Sequence, residues 1–409
     1  MKVLQVNKYF HPKSGAERSL FNTCALLEKN GHEVIHFSMK HASNLPSGYE
    51  RYFVEEIDYS KYAGAGVFTK ARMFFKLIYS AEAARKMGAL LDDEKPDIAH
   101  IHKFNQVITP SILAPLKKRG IPIVQTFRDY KRICPNYNLY DFSRKEICEA
   151  CRGGRYYSPV LRRCLAPSFT INLNIALEAY FYALTRAYDK IDTCICPSRF
   201  MLEKSKEHGV PEEKLVHIPN FLHIAEFQPS EPTSTLIVYI GRIEHHKGVK
   251  TLMDAVSGLR GASLVIGGDG SGREELEKYA AGKGLSGIKF AGHLPLEEVK
   301  RLVGESLFTV VPSEWYENFG MSVIESFACC RAVIGARTGG IPEIIDDGEN
   351  GFLFQPGNVE ELREKMARLL ESPALAGEMG MKGRRKAERE YNPDLFYERL
   401  MKVYSKLVY

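Results

Sequence analysis

The strongest constraint on the fold is an alternation of short apolar strands with helices, which occurs twice along the chain. In the first half, apolar runs at residues 2–7 and 32–38 flank a helical stretch. The same order recurs at 97–102, 109–119 and 121–126 as strand, helix and strand. This pattern is typical of a parallel sheet covered by helices. The first half is therefore predicted to be a Rossmann-like α/β domain.

A second alternating set follows residues 228–234, where Pro, Ser, Thr and Glu dominate as they do in linkers. We therefore expect an α/β fold of two Rossmann-like, doubly wound domains that face each other across a cleft. The predicted domains are residues 1–225 and 234–390. Residues 391–409 are predicted to form a helix that crosses back to the first domain. Ligands of such folds bind at the carboxyl ends of the strands, so the cleft is the predicted site.

Composition excludes several other classes of protein. The chain has 409 residues, of which 44% are hydrophobic and 26% charged, as in ordinary globular proteins. No apolar run approaches the 18 or so residues that a membrane-spanning helix needs, and the N-terminus does not resemble an export signal. The nine cysteines are an odd number. A reducing, cytoplasmic location is therefore expected.

The net charge of +6 is unevenly distributed. Residues 61–165 contain 20 basic and 9 acidic side chains, whereas residues 228–409 contain 23 and 26. The excess of basic side chains in residues 61–165 predicts an anionic partner for the first half, or else a well-solvated basic surface. Residues 67–91 mix aromatic with basic side chains. They are typical either of a helix on an anionic membrane surface or of one packed on the core. A nucleic-acid partner is not expected, because no recognised module is present.

Two glycine-containing motifs follow strands in the second half. Gly241 and Arg242 end one strand, and Lys247 lies five residues after Arg242. Glycine permits close approach of a ligand, while arginine and lysine are suited to a diphosphate, next to a helix N-terminus. Gly268 and Gly270 follow the next strand, which by itself is a weak signal.

The stretch 312–325 contains two glutamates, Glu317 and Glu325, separated by seven residues. Glu317 is predicted in a loop before a helix, and Glu325 about two turns along that helix. One carboxylate could hold hydroxyls of a sugar and the other the hydroxyls of a ribose. The alternative is that both are solvated helix residues.

In this order and spacing the motifs resemble the retaining nucleotide-sugar glycosyltransferases of family 4, which have the GT-B fold. The resemblance also includes residues 14–17 (SGAE) and a turn-rich tail at 339–351. It implies that Arg242 and Lys247 neutralise the donor diphosphate, and that Glu317 contacts the transferred sugar. The donor-binding residues it implies are Ser14, Gly15, Gly241, Arg242, Lys247, Gly268, Gly270, Glu317, Asn318, Phe319, Gly320, Met321 and Glu325.

The sequence departs from the family after the strand at 124–127. There the family often has a histidine near the reacting sugar, whereas this chain has Arg128. Arg128 could bind an anionic sugar, an acceptor phosphate or the leaving group. His102 resembles another family histidine and either lines the cleft or packs at a strand end. The predicted catalytic residues are Glu317, Arg242, Lys247, Arg128 and His102.

The resemblance implies a hexosyltransferase that uses a UDP-, GDP- or ADP-linked sugar and a glycan or lipid-linked acceptor, in surface polysaccharide or glycolipid synthesis. The enzyme would then work in the cytoplasm or at the inner face of the membrane. The chain has no Asp-x-Asp motif, so no catalytic metal is expected. Two other functions stay open: a sugar-nucleotide epimerase of the same fold, and a non-catalytic sugar-nucleotide-binding assembly protein.

Four cysteines cluster in a predicted insertion at about residues 130–168. Cys148 and Cys151 have the C-x2-C spacing of a zinc knuckle, and Cys134 and Cys164 could complete a tetrahedral site. The alternatives are free, packed thiols and disulfides. The sequence therefore predicts a family subgroup with a cysteine-rich insertion and a structural zinc.

Overall fold

The computed structural model describes residues 1–12, 15–57, 66, 74–229, 235–259 and 261–409. In the first half it contains strands β1 (Lys2–Val6), β2 (Glu33–Phe37), β3 (Ile98–Ile101), β4 (Ile123–Thr126), β5 (Tyr140–Asp141), β6 (Glu146–Ile147), β7 (Thr193–Cys196) and β8 (Leu215–His217). Six of them form a parallel sheet in the order β2-β1-β3-β4-β7-β8, while β5 and β6 form an antiparallel hairpin. Every residue of β3 and β4 is buried, as expected when helices cover both faces.

The described helices of this half are α1 (Gly15–Lys29), α2 (Ala81–Glu94), α3 (Leu113–Lys118), α4 (Ser158–Arg162), α5 (Phe169–Leu184) and α6 (Arg199–Glu207). Ser198 caps α6, because its hydroxyl accepts a hydrogen bond from the Met201 N–H at 3.1 Å. The sequence analysis assigned no element to the region of α5.

The second half repeats the architecture with strands β9 (Leu236–Ile240), β10 (Ser263–Gly267), β11 (Ile288–Gly292), β12 (Phe308–Val311), β13 (Ala332–Ala336) and β14 (Gly351–Phe354). They are parallel, in the order β11-β10-β9-β12-β13-β14. After β9 the chain first adds β10 and β11 on one side of the sheet, and then returns to add β12, β13 and β14 on the other side. Sheets of this kind bind ligands at the switch point, which here lies between β9 and β12.

The helices around this second sheet are α7 (Val249–Val256), α8 (Arg273–Gly282), α9 (Leu296–Glu305), α10 (Met321–Ala328), α11 (Ile341–Ile344), α12 (Val359–Glu371), α13 (Pro373–Glu390) and α14 (Pro393–Val408). Each half has its own apolar core. The two Rossmann-like halves confirm the predicted fold class. The boundaries at residues 225, 234 and 390 stay predictions, and residues 230–234 of the proposed linker lie outside the described residues.

The C-terminal helix α14 returns to the first half, as predicted. Its buried side chains Phe396, Leu400 and Tyr404 pack in one cluster with Leu20 and Leu27 of α1. The Tyr404 hydroxyl also lies 2.6 Å from Nδ1 of His100 in β3. Packing of this kind ties the end of the chain to the first sheet.

The basic, aromatic stretch at 67–91 divides into parts with different surroundings. Residues 67–73 lie outside the described residues, and 74–78 are helical. α2 then starts after Ser80, whose hydroxyl accepts from the Ala83 N–H. The apolar side of α2 is buried, so the core interpretation is correct for that helix. Within the described parts of the chain, no helix combines the length and apolar character needed to cross a membrane.

Candidate functional site

Lys247 and Glu317 form the centre of the cleft site. Lys247 Nζ lies 2.7 Å from Oε1 of Glu317, and the Ser313 hydroxyl donates to the same oxygen at 2.6 Å. Burial alone would raise the pKa of Glu317, but the Lys247 charge and the hydrogen bonds from Lys247 and Ser313 outweigh it and lower that pKa. Glu317 is therefore a carboxylate at neutral pH. Two of the predicted site residues meet in this contact, and Ser313 is a partner that the sequence analysis missed.

The loop that carries Glu317 is fixed by the turn at 338–340. Gly339 has a φ of +59°, and a Cβ there would lie 2.3 Å from the backbone N and O of Glu317. The Gly340 N–H donates to the Glu317 carbonyl at 2.8 Å, and the Thr338 hydroxyl donates to the Trp315 carbonyl at 3.0 Å. Only glycine permits this approach. The glycine-rich tail noted in the sequence thus supports the backbone of the Glu317 loop.

The two predicted glycine motifs of the donor site pack against each other. A Cβ at Gly268, where φ is +140°, would lie 1.8 Å from the carbonyl oxygen of Gly241. One at Gly270 would lie 2.3 Å from the carbonyl oxygen of Ile243. Arg242 is exposed beside these turns, and its carbonyl accepts from the Tyr239 hydroxyl at 2.7 Å. The turns after β9 and β10 therefore form one surface.

Aromatic rings surround Lys247. Its Nζ lies 4.8 Å from the centroid of the Trp315 ring, and that ring contacts His246 at 4.8 Å between centroids. A cation over an aromatic face is attracted by the ring quadrupole. His246 in turn contacts Tyr140 and Phe142, which lie on and beside the β5–β6 hairpin of the first half. The predicted insertion therefore contacts the donor side of the cleft.

Glu325 joins the two halves of the molecule. It is buried on α10 and pairs with Arg18 of α1, with 3.3 Å between Oε1 and Nη2. Burial raises the pKa of Glu325, and the nearby Arg18 charge opposes that shift. Ser14 lies outside the described residues, whereas Gly15 opens α1 and has free space beside its Cα. Arg18, three positions further along α1, was not recognised from the sequence.

Arg128 follows β4 and is held by neutral partners. Its Nη1 donates to Oδ1 of Asn220 at 2.7 Å, and its Nε and Nη2 face Nδ1 of His102 at 3.4 and 3.2 Å. Arginine offers only donors, so Nδ1 of His102 accepts and Nε2 donates to Gln5 at 2.9 Å. Burial lowers the pKa of His102, and the neighbouring His100 and Arg128 lower it further. His102 is thus neutral, and it acts on the cleft through Arg128.

The guanidinium of Arg128 has no carboxylate within ion-pair distance among the described residues. Burial lowers the pKa of Arg128 to about 10, opposed by Glu17, so it stays protonated at neutral pH. The Arg128 carbonyl accepts from Nδ2 of Asn318 at 2.7 Å. This contact joins Arg128 to the loop that carries Glu317.

Further contacts close the two halves onto each other. Both carboxylate oxygens of Glu343 accept from the first N–H groups of α6, on Arg199 at 2.8 Å and Phe200 at 2.7 Å. The Tyr316 hydroxyl donates to Glu149 of the insertion at 3.1 Å. A carboxylate at a helix N-terminus is stabilised by the exposed N–H groups and the helix dipole. Glu343 lies in the turn-rich tail noted at residues 339–351, but the sequence did not show that it would contact α6.

All nine cysteines are free thiols, so the disulfide interpretation of the cluster is wrong. Asn136 joins two of the four: the Cys134 thiol donates to its Oδ1 at 3.0 Å, and its Nδ2 donates to the Cys164 sulfur at 3.2 Å. Burial raises the pKa of Cys134, Cys151 and Cys164, and the other three cysteines of the cluster raise that of Cys151 further. Among the described residues, no three His, Cys, Asp or Glu side chains are grouped to hold a metal ion. The arrangement does not support the predicted structural zinc, which elemental analysis of the purified protein would test directly.

Two facing Rossmann-like halves define the GT-B class of fold. The family model for Glycosyltransferase Family 4 matches residues 13–226, and that for Glycosyl transferases group 1 matches residues 223–386. The chain belongs to glycosyltransferase family 4, which confirms the predicted family.

Individual proteins agree with this assignment. An uncharacterised glycosyltransferase of Methanocaldococcus jannaschii is 30% identical over 230 residues, which cover 55% of this chain and 62% of that protein. The sucrose-phosphate synthase of Thermosynechococcus elongatus has a similar structure, with a TM-score of 0.73, 18% identity and coverage of 100% of this chain and 99% of that one. Anabaena HepE in complex with UDP-glucose has a TM-score of 0.70 at 15% identity, covering 99% of this chain and 100% of that one.

Proposed function

We propose that this protein is a retaining glycosyltransferase that moves a hexose from a nucleotide-sugar donor to a glycan or lipid-linked acceptor. The observation that carries the proposal is the contact between Lys247 and Glu317. It sets a cation for a diphosphate directly beside a carboxylate for sugar hydroxyls. In this position Glu317 orients the sugar while Lys247 meets the phosphate attached to it.

The reaction separates an anionic nucleoside diphosphate from the sugar. Fixed positive groups that meet the developing charge lower the barrier, because they need no reorganisation during the reaction. Lys247 and Arg242 supply these charges, and the N-terminus of α7 adds its dipole. The acceptor hydroxyl attacks on the same face from which the diphosphate departs, and it passes its proton to the leaving phosphate oxygen. This route needs no nucleophile from the protein.

Closure of the two halves protects the donor from water. Arg18 with Glu325, Asn318 with the Arg128 carbonyl, and Glu343 with the start of α6 all join the halves around the site. Excluding water strengthens the electrostatic contacts and suppresses hydrolysis.

For the donor, UDP-sugars are the first choice, since a protein of the same fold binds UDP-glucose. GDP- and ADP-sugars are the alternatives. For the acceptor, the basic first half is consistent with a lipid-linked or anionic glycan at the inner face of a membrane, as in surface polysaccharide or glycolipid synthesis.

The test is a donor screen. The protein is incubated with UDP-, GDP- and ADP-sugars, with and without a lipid extract, and released nucleotide and new glycosidic product are measured. Transfer that needs the acceptor and is lost in Glu317→Ala supports the proposal, and the matched control Glu360→Ala removes an exposed carboxylate far from the site. Donor conversion without an acceptor would instead indicate an epimerase. Binding of the donor without any turnover would indicate a non-catalytic binding protein.

A further inference from the structure

Helix α5 exposes large apolar side chains and buries polar ones, unlike an ordinary amphipathic helix. Its outward face presents Leu177, Phe181 and Leu184, whose side chains are 43%, 39% and 83% exposed. Its buried face contains the polar side chains of Asn172 and Glu178 beside Ala176 and Tyr182. A helix of a water-soluble domain normally buries its apolar side, so this orientation needs a separate explanation.

The polar inner face is firmly anchored. Asn172 Nδ2 donates to the carbonyls of Ala166 and Ser168, each at 2.7 Å, and Glu178 pairs with Lys131 at 2.6 Å. Both charged side chains of that pair are about nine-tenths buried. Rolling the helix to bury its leucines would break this pair and leave a buried charge without a partner. The outward direction of the apolar side chains is therefore built into the fold.

Exposed apolar side chains are concentrated around α5. Of the thirteen exposed large hydrophobic residues in the described parts of the chain, nine lie within residues 74–79 and 157–184. We call this surface the apolar patch; the members used below are Phe75, Leu161, Phe169, Leu177, Phe181 and Leu184. The Tyr182 hydroxyl donates to the Ile78 carbonyl at 2.9 Å, which holds the 74–79 segment against α5. A clustered surface of this kind marks an interaction site, whereas single exposed leucines do not.

The segment that carries most of the apolar patch is rich in basic side chains. Residues 152–190 contain six basic and two acidic side chains, and one of the two acids is the buried Glu178. Arg155 and Arg163 are exposed along this segment, and so is Arg186, which pairs with Asp189 at 2.6 Å. Apolar side chains flanked by arginine are suited to the boundary between acyl chains and anionic headgroups. A second copy of the chain is a poorer partner, because its own positive rim would face this one.

We propose that the apolar patch inserts into the surface of an anionic lipid bilayer. The contact places Leu177, Phe181 and Leu184 among the acyl chains, with the arginines at the headgroups. The sequence left residues 67–91 open as a membrane-surface helix or a core helix. α2 in that stretch is packed on the core, whereas Phe75 of the same stretch is exposed and belongs to the apolar patch. The proposal does not depend on the proposed transfer reaction. If both hold, Lys131, three residues after Arg128, connects the lipid-facing helix to the cleft where a lipid-linked acceptor would enter.

The test is flotation of the full-length protein with vesicles of phosphatidylcholine alone and of phosphatidylcholine mixed with phosphatidylglycerol. We expect flotation with the anionic vesicles that weakens as salt is raised. The variant Leu177→Gln/Phe181→Gln/Leu184→Gln should reduce partitioning by about tenfold or more, since it removes three apolar side chains from the contact. The matched control Leu45→Gln/Met381→Gln changes two apolar residues of similar exposure elsewhere and should float like the wild type.

Donor binding and thermal unfolding are measured on the same preparations, so that loss of folding and loss of membrane contact are told apart. Both should be unchanged in the triple variant, because the substituted side chains are exposed. The proposal is overturned if the wild type does not float, or if the triple variant floats equally well. It is also overturned if the lipid-free protein is a dimer that the triple variant converts to a monomer, because the patch would then be a self-association surface. Flotation by a protein that shows no sugar transfer would overturn the proposed function and leave the membrane contact standing.

Discussion

The Glu317 loop of the second half and the Arg128 site of the first half meet across the cleft, but their charges are arranged differently. Glu317 is balanced by Lys247 and hydrogen-bonded to Ser313. Arg128 is held by the neutral side chains of Asn220 and His102, with no carboxylate in contact among the described residues. A balanced pair can position a substrate precisely. A cation with no carboxylate in direct contact instead favours a substrate that brings one.

Removing Lys247 should have the largest effect on activity. Lys247→Ala deletes the cation that we propose meets the leaving diphosphate, and it leaves the Glu317 carboxylate without its partner. We expect kcat/KM for sugar transfer to fall by about 100- to 1,000-fold. Lys250→Ala is the matched control, since Lys250 is exposed and pairs with Asp254 of α7 and Tyr279 of α8. A loss of less than tenfold in Lys247→Ala would remove it from the catalytic site.

Arg128→Gln tests whether the Arg128 charge is used by the substrate. A bidentate contact of arginine with an anion is strong, so we expect kcat/KM to fall by about 10- to 100-fold for a substrate with an anionic group. The fall should be smaller for a neutral one. Kinetics with a UDP-hexuronic acid and a UDP-hexose, and with charged and uncharged acceptors, would show which substrate carries the charge. Arg301→Gln, an exposed arginine on α9, is the control. Equal losses for all substrates would show that Arg128 only supports the fold.

Glu343→Gln should weaken closure of the cleft without touching the chemistry. The amide keeps the shape of the side chain but loses the charge that stabilises the N-terminus of α6. We expect the closed form to lose about 1 kcal/mol of stabilisation, which corresponds to roughly a fivefold fall in kcat/KM. Donor titration and small-angle scattering with and without nucleotide would reveal a more open protein. Unchanged kinetics and scattering would mean that this contact is not needed for closure.

The smallest effect is expected from the acid dependence of the Lys247–Glu317 pair. The pKa of Glu317 lies below its ordinary value of 4.5 in the folded protein, so the pair stabilises the protein fully above about pH 4.5. That contribution is lost as the pH falls through the lower folded value. The stability difference between wild type and Glu317→Gln should therefore be constant at neutral pH and shrink only in acid. Thermal unfolding from neutral to acid pH measures it, and a difference that already changes near pH 6 would contradict the assignment.

Much of the donor half could be read from the sequence, because its residues follow successive parallel strands. Gly241 follows β9, Gly268 follows β10, and Glu317 lies after β12. Carboxyl ends of parallel strands meet at one edge of a sheet, so order along the chain predicts proximity in space. Ser313 and Trp315 lie in the same loop as Glu317, but nothing in their spacing distinguished them.

Contacts between distant segments could not be read in this way. Arg128 is positioned by Gln5, His102 and Asn220, which lie on separate segments of the chain. Arg18 and Glu325 come from opposite halves and lie 3.3 Å apart across the cleft. No local periodicity encodes such pairs, because they depend on how two complete domains face each other.

The sequence by itself determined the two α/β halves, the returning C-terminal helix and the donor motifs, since these depend on local apolar patterns and on short spacings. Only the tertiary structure decided which residues of the first half enter the site and which side of α5 faces out. In α5 the apolar residues outnumber the polar ones, so its sequence favours burial. The distant Lys131 holds Glu178 inside and thereby turns the leucines outward. Together with the hydrogen bonds of Asn172 and Tyr182, this long-range ion pair fixes which side of the helix faces out, and no local pattern in the chain encodes it.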